Sequence, residues 1–433
     1  MPSPLLWFLL LLAALSAAAP CPEGAVSSDT HAVGCTDLRI TAISDNITLV
    51  IERATGTLNV TLDAVGITLL LVDCAVAGNI TLRGSHSVAQ VLRSTVAGVD
   101  VVALSGARNI AIVVADSTLI GAVVASVLSE SDADSISITI VNSTLNATRY
   151  VASVVGVAIF RNVTMAISDS RLWLEGGDNV GIVALAAGEV ADATLSVTTT
   201  SVMCRAGDGV GVLGAGTGNR PVRWTNVTIS AAFANVTVTA GNYVGILGAG
   251  ILNGGVRWTN VTVAAAFVNV TSTAQDVVGV LGAGSGSLLS WTNVTISAAR
   301  AQFTSSARDV VGLLGAGGGS NLSWTKVTVF AVLGNVTSHA GNYVGVLGAA
   351  VTSGKTAVVP WTDVVIVLAD STLWCQQVAV SAIIGHRLCH PRPGHGPANE
   401  QRRHRMAWGR RRRCGRDHHG GDRRARCGAG RKR

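Results

Sequence analysis

Trp224-Thr225-Asn226-Val227-Thr228-Ile229, with Val244-Gly245-Ile246-Leu247-Gly248 behind it, is the stretch on which the fold is read. The second phrase, V-G-[IVL]-L-G, recurs with its first glycine at Gly211, Gly245, Gly279, Gly312 and Gly345, at spacings of 34, 34, 33 and 33 residues. The W-T-x-V phrase recurs at Trp224, Trp258, Trp291, Trp324 and Trp361. Weaker copies of the glycine phrase precede these at Gly181 and at Gly156. A period of 20–50 residues marks a solenoid, in which each unit buries its apolar face only against its neighbours.

The runs inside each unit are Val, Thr, Ile and Asn in alternation, a period of two rather than 3.6. Strict alternation over 224–229 places Thr225, Val227 and Ile229 on one face and Trp224, Asn226 and Thr228 on the other. Asn226 opens an N-x-T sequon, and a glycosylated asparagine cannot face a core. The alternation therefore predicts an inward Thr/Val/Ile face and an outward tryptophan column. Outward, those rings would bind sugars or protein, or shield the surface beneath glycans. Each unit of about 33 residues supplies three short strands, for example 224–230, 235–239 and 243–247. Stacked in parallel, they predict an all-β chain, a right-handed parallel β-helix (β-solenoid) over residues 19–385, with about 33 residues per coil in its C-terminal half.

An acid or its amide sits three residues before each anchoring glycine: Asp178, Asp208, Asn242, Asp276, Asp309 and Asn342. Two readings fit. Asn and Asp accept left-handed backbone and bond nearby main-chain groups, so the column closes turns. Alternatively, hard oxygen ligands hold calcium. Calcium-binding coil repeats carry several aspartates per short repeat, whereas this column has one per coil, which favours turn closure.

Residues 1–18 read as a secretory signal peptide: an apolar run from Leu5 to Leu15, then small residues, with cleavage after Ser16 or Ala18. Ile110 to Leu128 is also apolar, but Asp116, Ser117 and Thr118 interrupt it, which predicts two buried strands joined by a turn rather than a membrane span. Thirteen sequons follow the leader, at Asn46, Asn59, Asn79, Asn142, Asn146, Asn162, Asn226, Asn235, Asn260, Asn269, Asn293, Asn321 and Asn335. Together they predict a glycoprotein of the secretory pathway, secreted or displayed at the cell surface. In that compartment Cys21 and Cys35 form a plausible local disulfide at the N-terminal end. Cys204 and Cys375 hold the same place in units five apart, about 24 Å along the stack, too far to bridge.

The net charge of +7 divides unevenly. Residues 1–385 hold 16 Lys+Arg against 22 Asp+Glu, and residues 386–433 hold 16 against 3. The tail also has six of the nine histidines and no sequon. Arg410–Arg413 resembles a polyanion-binding patch, and His386-x-x-Cys389-His390 invites a zinc reading that finds no matching second pair. The switch falls inside a repeat unit, so the tail reads as a disordered segment or as G/C-rich coding sequence translated out of frame. On that reading no nucleic-acid partner is expected.

Catalytic patterns are missing. β-Helices that cleave or eliminate polysaccharides use clustered carboxylates or a base beside a metal, and here the acids are scattered or lie in the turn column. Lys326 and Lys355 are the only lysines before the tail, and His31, His86 and His339 are isolated. Glycine-rich phrases such as Gly315-Ala-Gly-Gly-Gly lack the Lys-[ST] of a phosphate loop. The residues thus point to a non-enzymatic glycoprotein with no cofactor and no metal, engaging host or extracellular glycans or proteins. A carbohydrate-active β-helix enzyme is the alternative.

The repeated V-G-[IVL]-L-G-A-[GA] and W-T-[NKD]-V phrases, with A-D-S-T-L at 115–119 and 369–373 and an Ala/Leu-rich leader, resemble the dispersed-gene-family surface proteins of trypanosomes. The similarity covers about residues 1–385. It implies large, N-glycosylated, β-helical surface or secreted proteins, anchored by C-terminal membrane helices and acting in adhesion. After Gly385 this chain departs from that pattern, as a truncated or frameshifted member would.

Overall fold

The computed structural model describes residues 21–382, interrupted by gaps of one to four residues and by a longer one at 352–360. The leader and the tail at 386–433 lie outside the described residues. All regular structure among them is β-strand, and every pairing is parallel. The chain coils so that each strand bonds to its equivalent in the coil before and the coil after. This is a parallel β-helix.

The coils widen along the chain. Thr48 lies beside Thr68 and Thr68 beside Val88, each 20 residues on. Val88 then pairs with Ala111, Ala111 with Ser137, Ser137 with Thr164 and Thr164 with Thr194, so the step grows from 23 to 30 residues. From Thr194 to Thr228 and on to Thr262 the step is 34 residues, and to Thr295 and Thr328 it is 33. A narrow early coil has two strands, such as Thr48–Glu52 and Thr55–Leu62. A wide one has four: Val222–Ala232, Asn235–Ala240, Tyr243–Ile246 and Gly250–Leu252. The fourth belongs to a separate five-stranded ladder that the period-two reading did not anticipate. Gly181 is in register with Gly211, but its partner in the coil before is Tyr150. Gly156 therefore lies outside the glycine column, because Val154 and Val155 pair with Leu185 and Ala186.

The interior is a continuous stack of apolar side chains. In the narrow coils it is filled by residues such as Leu49, Ile51, Leu69 and Leu71, all fully buried. The wider lumen needs larger side chains. One inward column runs Ala133, Phe160, Val190, Trp224, Trp258, Trp291 and Trp324. The four indoles are 1–2% exposed and stack face to face with centroids 4.8–5.2 Å apart.

That burial overturns the expected outward tryptophans. Asn226 has left-handed backbone (φ 56°), which interrupts the pleat and lets Trp224 and Val227 face the same way. Val227 and Ile229 are buried and Asn226 and Thr228 exposed as alternation requires, while Thr225 is only half-buried. The left-handed position is a column through the whole stack: Asn46, Gly66, His86, Asn109, Ser135, Asn162, Asp192, Asn226, Asn260, Asn293, Lys326 and Asp363. A second left-handed column marks the next corner, running from Gly34 through Arg53, Asp73, Arg93, Asp116, Asn142, Asp169 and Thr199 to Phe233, Phe267 and Arg300. Asn, Asp and Gly accept this conformation at least cost, which accounts for their frequency at both corners.

Behind the second corner runs a buried hydroxyl ladder. The Ser94 hydroxyl accepts from the Cys74 N–H at 3.0 Å. Ser117 does the same for Ser94, Ser143 for Ser117 and Ser170 for Ser143, at 3.0–3.1 Å. Each hydroxyl also donates to a main-chain carbonyl two residues back in its own coil. The turn's spare N–H groups are thereby satisfied without water.

Candidate functional site

What this molecule offers its surroundings is its outer wall, built of side-chain columns repeated at the coil spacing. Eleven of the thirteen sequon asparagines have described surroundings. Ten of them are exposed and Asn59 is half-buried. The side chains of Asn321 and Asn335 lie outside the described set.

The sequons fall into distinct places. Asn46, Asn162, Asn226, Asn260 and Asn293 occupy the first left-handed corner, where the outward carboxamides form a ladder. Asn226 Nδ2 donates to Asp192 Oδ1 at 2.8 Å, Asn260 Nδ2 to Asn226 Oδ1 at 2.9 Å, and Asn293 Nδ2 to Asn260 Oδ1 at 2.9 Å. Asn162 Nδ2 donates to Asp134 Oδ1 at 2.7 Å, and that bond holds the Asp134 carboxyl below its ordinary pKa. Asn142 lies at the second corner and donates to Asp116 Oδ1 at 2.7 Å. Asn59 and Asn79 are adjacent partners within strands, and the Asn79 N–H donates to Asn59 Oδ1. Asn146 shares a column with the exposed Trp173. Asn235 and Asn269 open the strand after the second corner and pair with each other.

Some charged side chains are engaged with their neighbours in the stack. Arg93 grips Asp73 through two bonds, Nε to Oδ1 at 2.7 Å and Nη2 to Oδ2 at 3.0 Å. The guanidinium holds the Asp73 carboxyl below its usual range. His31, read from the sequence as isolated, has Nε2 3.4 Å from Glu52 Oε1. The two belong to neighbouring coils, a proximity that no single-strand pattern reveals. Among the described residues no three His, Cys, Asp or Glu side chains are grouped as a metal site.

Of the turn column, Asp208, Asn242 and Asp276 are described; Asp178, Asp309 and Asn342 are not. The three described members lack the left-handed backbone expected of them, which lies instead at the two corners and in a third column, Ala125, Ala152, Val183, Leu213 and Leu247. Their bonds run between coils. The Asp208 carbonyl accepts from the N–H groups of Asn242 and Tyr243, and Asn242 Nδ2 donates to Asp208 Oδ1 at 2.7 Å. Arg308 pairs with Asp276.

Cys21 and Cys35 are joined by a disulfide with Cα atoms 5.6 Å apart. Cys204 lies in a column with Val238, Ser272, Ser305, Ser338 and Cys375, which places the two cysteines five coils apart. Cys74 and Cys204 are buried free thiols, and burial raises the pKa of both. No helix among the described residues is long and apolar enough to cross a membrane. The chain matches no model of a known protein family, no curated protein and no solved structure.

Proposed function

We propose that this chain is a secreted or cell-surface glycoprotein whose β-helix presents a repetitive outer wall for adhesion to host or extracellular glycans and proteins, or for antigenic display. The observation that carries the reading is the outward position of every sequon asparagine whose surroundings are described, in a chain that opens on a signal-peptide pattern. A solenoid suits the role, because a side chain repeated once per coil becomes a column of identical groups on one surface. Such a column engages a partner by many weak contacts, with avidity set by the number of coils engaged. The resemblance to trypanosome dispersed-gene-family surface proteins supports the same assignment. Expression of the full chain in a eukaryotic secretory host tests it. Secretion of glycosidase-sensitive protein that binds cell surfaces is the expected result. Retention in the cytosol without glycan would overturn it.

A further inference from the structure

Phe233 and Phe267 sit where their chemistry is least at home. Both have left-handed backbone, with φ of 52° and 54°, a conformation unfavourable for a bulky side chain. Both are also on the surface, 58% and 45% exposed, so little burial offsets that strain. Earlier coils fill the same corner with polar residues, Asp116, Asn142, Asp169 and Thr199. The phenyl rings stack on each other at 4.9 Å with 4° between their planes.

Two residues after each phenylalanine, on the same outward side, stands a sequon: Phe233-Ala234-Asn235-Val236-Thr237 and Phe267-Val268-Asn269-Val270-Thr271. Ala234 and Val268 point into the core. The two rings differ in what covers them. Phe267 lies between Phe233 on one face and the Arg300 guanidinium, 5.5 Å from its centroid, on the other. Among the described residues, Phe233 has Phe267 as the one ring stacked on it. Its other face looks along the column toward Thr199, a side chain too small to cover a ring.

We propose that this open face of Phe233 seats the first sugar of an N-linked glycan on Asn235. Two residues of chain span at most about 7 Å, and less across a corner, within the reach of an asparagine side chain carrying a pyranose. A pyranose in N-acetylglucosamine presents a flat face of axial C–H groups, which complements the negative face of an aromatic ring. The corner sequons Asn226, Asn260 and Asn293 differ: their Nδ2 atoms are bonded to the coil before, and the aromatic residue nearest them in sequence is the buried tryptophan. Phe233 is thus a positioning platform, and the strain at its backbone is offset when the sugar covers it.

This inference rests on the glycoprotein reading above, and one experiment separates the two. The full chain and its Phe233→Ala, Asn235→Gln and double variants are produced in a glycosylating host and in bacteria. Occupancy at each sequon is read by mass spectrometry, and Tm is measured for all eight samples. The expected result is glycan on Asn235, and a Phe233→Ala shift in Tm larger by about 2 °C with that glycan than without it. The excess should vanish in the Asn235→Gln background and in all bacterial samples. Occupied Asn235 with equal Phe233→Ala shifts overturns the platform while the glycoprotein reading stands. Glycan on other sequons but none on Asn235 does the same. No glycan on any sequon overturns both.

Discussion

Asn260 shows how much one residue does here. It supplies left-handed backbone, links its coil to two others through its carboxamide, and turns Trp258 inward by interrupting the pleat. Glycine keeps the backbone and loses the ladder; valine loses both. Asn260→Gly is expected to cost about 1 kcal/mol and Asn260→Val more, by a further 1–2 kcal/mol, in chemical denaturation. The same residue explains why the tryptophan direction was illegible in the sequence. A period of two assumes an unbroken pleat, and N-V-T reads as ordinary strand until φ at the asparagine is known. Trp258→Ala removes a buried ring from between two others and is expected to cost about 3–5 kcal/mol, where an outward tryptophan would cost almost nothing. Cys74 and Cys204 make a chemical check on the same core. Site-resolved mass spectrometry should find neither alkylated by iodoacetamide in the native state and both alkylated after denaturation.

At the scale of the element, corners do more than strands to individualise this solenoid. The serine ladder passes the N–H of one turn to the hydroxyl of the next, so removing one hydroxyl orphans a buried donor in the neighbouring coil. Ser117→Ala is expected to destabilise by about 1–3 kcal/mol, read from the shift in denaturation midpoint, although it deletes a single atom. The exposed Arg93–Asp73 pair should matter far less. Because the Asp73 pKa is depressed in the folded state, its contribution is present above the ordinary carboxylate pKa and is lost as pH falls through the depressed value. Arg93→Gln is expected to cost about 0.5 kcal/mol at neutral pH and low salt, with the difference from the parent disappearing in acid or high salt. The apolar run expected to give two strands gives three, Arg108–Ala115, Thr118–Val124 and Ser126–Ser129. The break at Asp116-Ser117 was legible, since Asp-Ser-Thr interrupts the run visibly, and the corner at left-handed Ala125, an apolar residue within that run, was not. Nor was the hydroxyl ladder. Its members are 23, 26 and 27 residues apart, so no fixed period brings them together.

For the whole molecule, the parallel β-helix could be read in the wide coils, where V-G-[IVL]-L-G and W-T-x-V recur in step. In the narrow coils the same architecture persists without the phrases, and only the register exposes it. Stability in such a stack is close to a sum over coils and their interfaces. Deletion of residues 228–261 joins Val227 to Thr262, residues that already occupy successive positions of the next coil. That variant is expected to keep its β-sheet circular dichroism and cooperative unfolding. Deletion of 228–244, half a coil, should abolish both.

The change in coil length also divides the chain by how it can be copied. Where neighbouring coils share length and wording, recombination between misaligned gene copies can add or remove a whole coil and leave a working junction. Where each coil is longer than the one before, the same accident joins perimeters that do not match. Coils of equal length can therefore be exchanged without breaking register, while the widening coils between Val88 and Thr194 cannot.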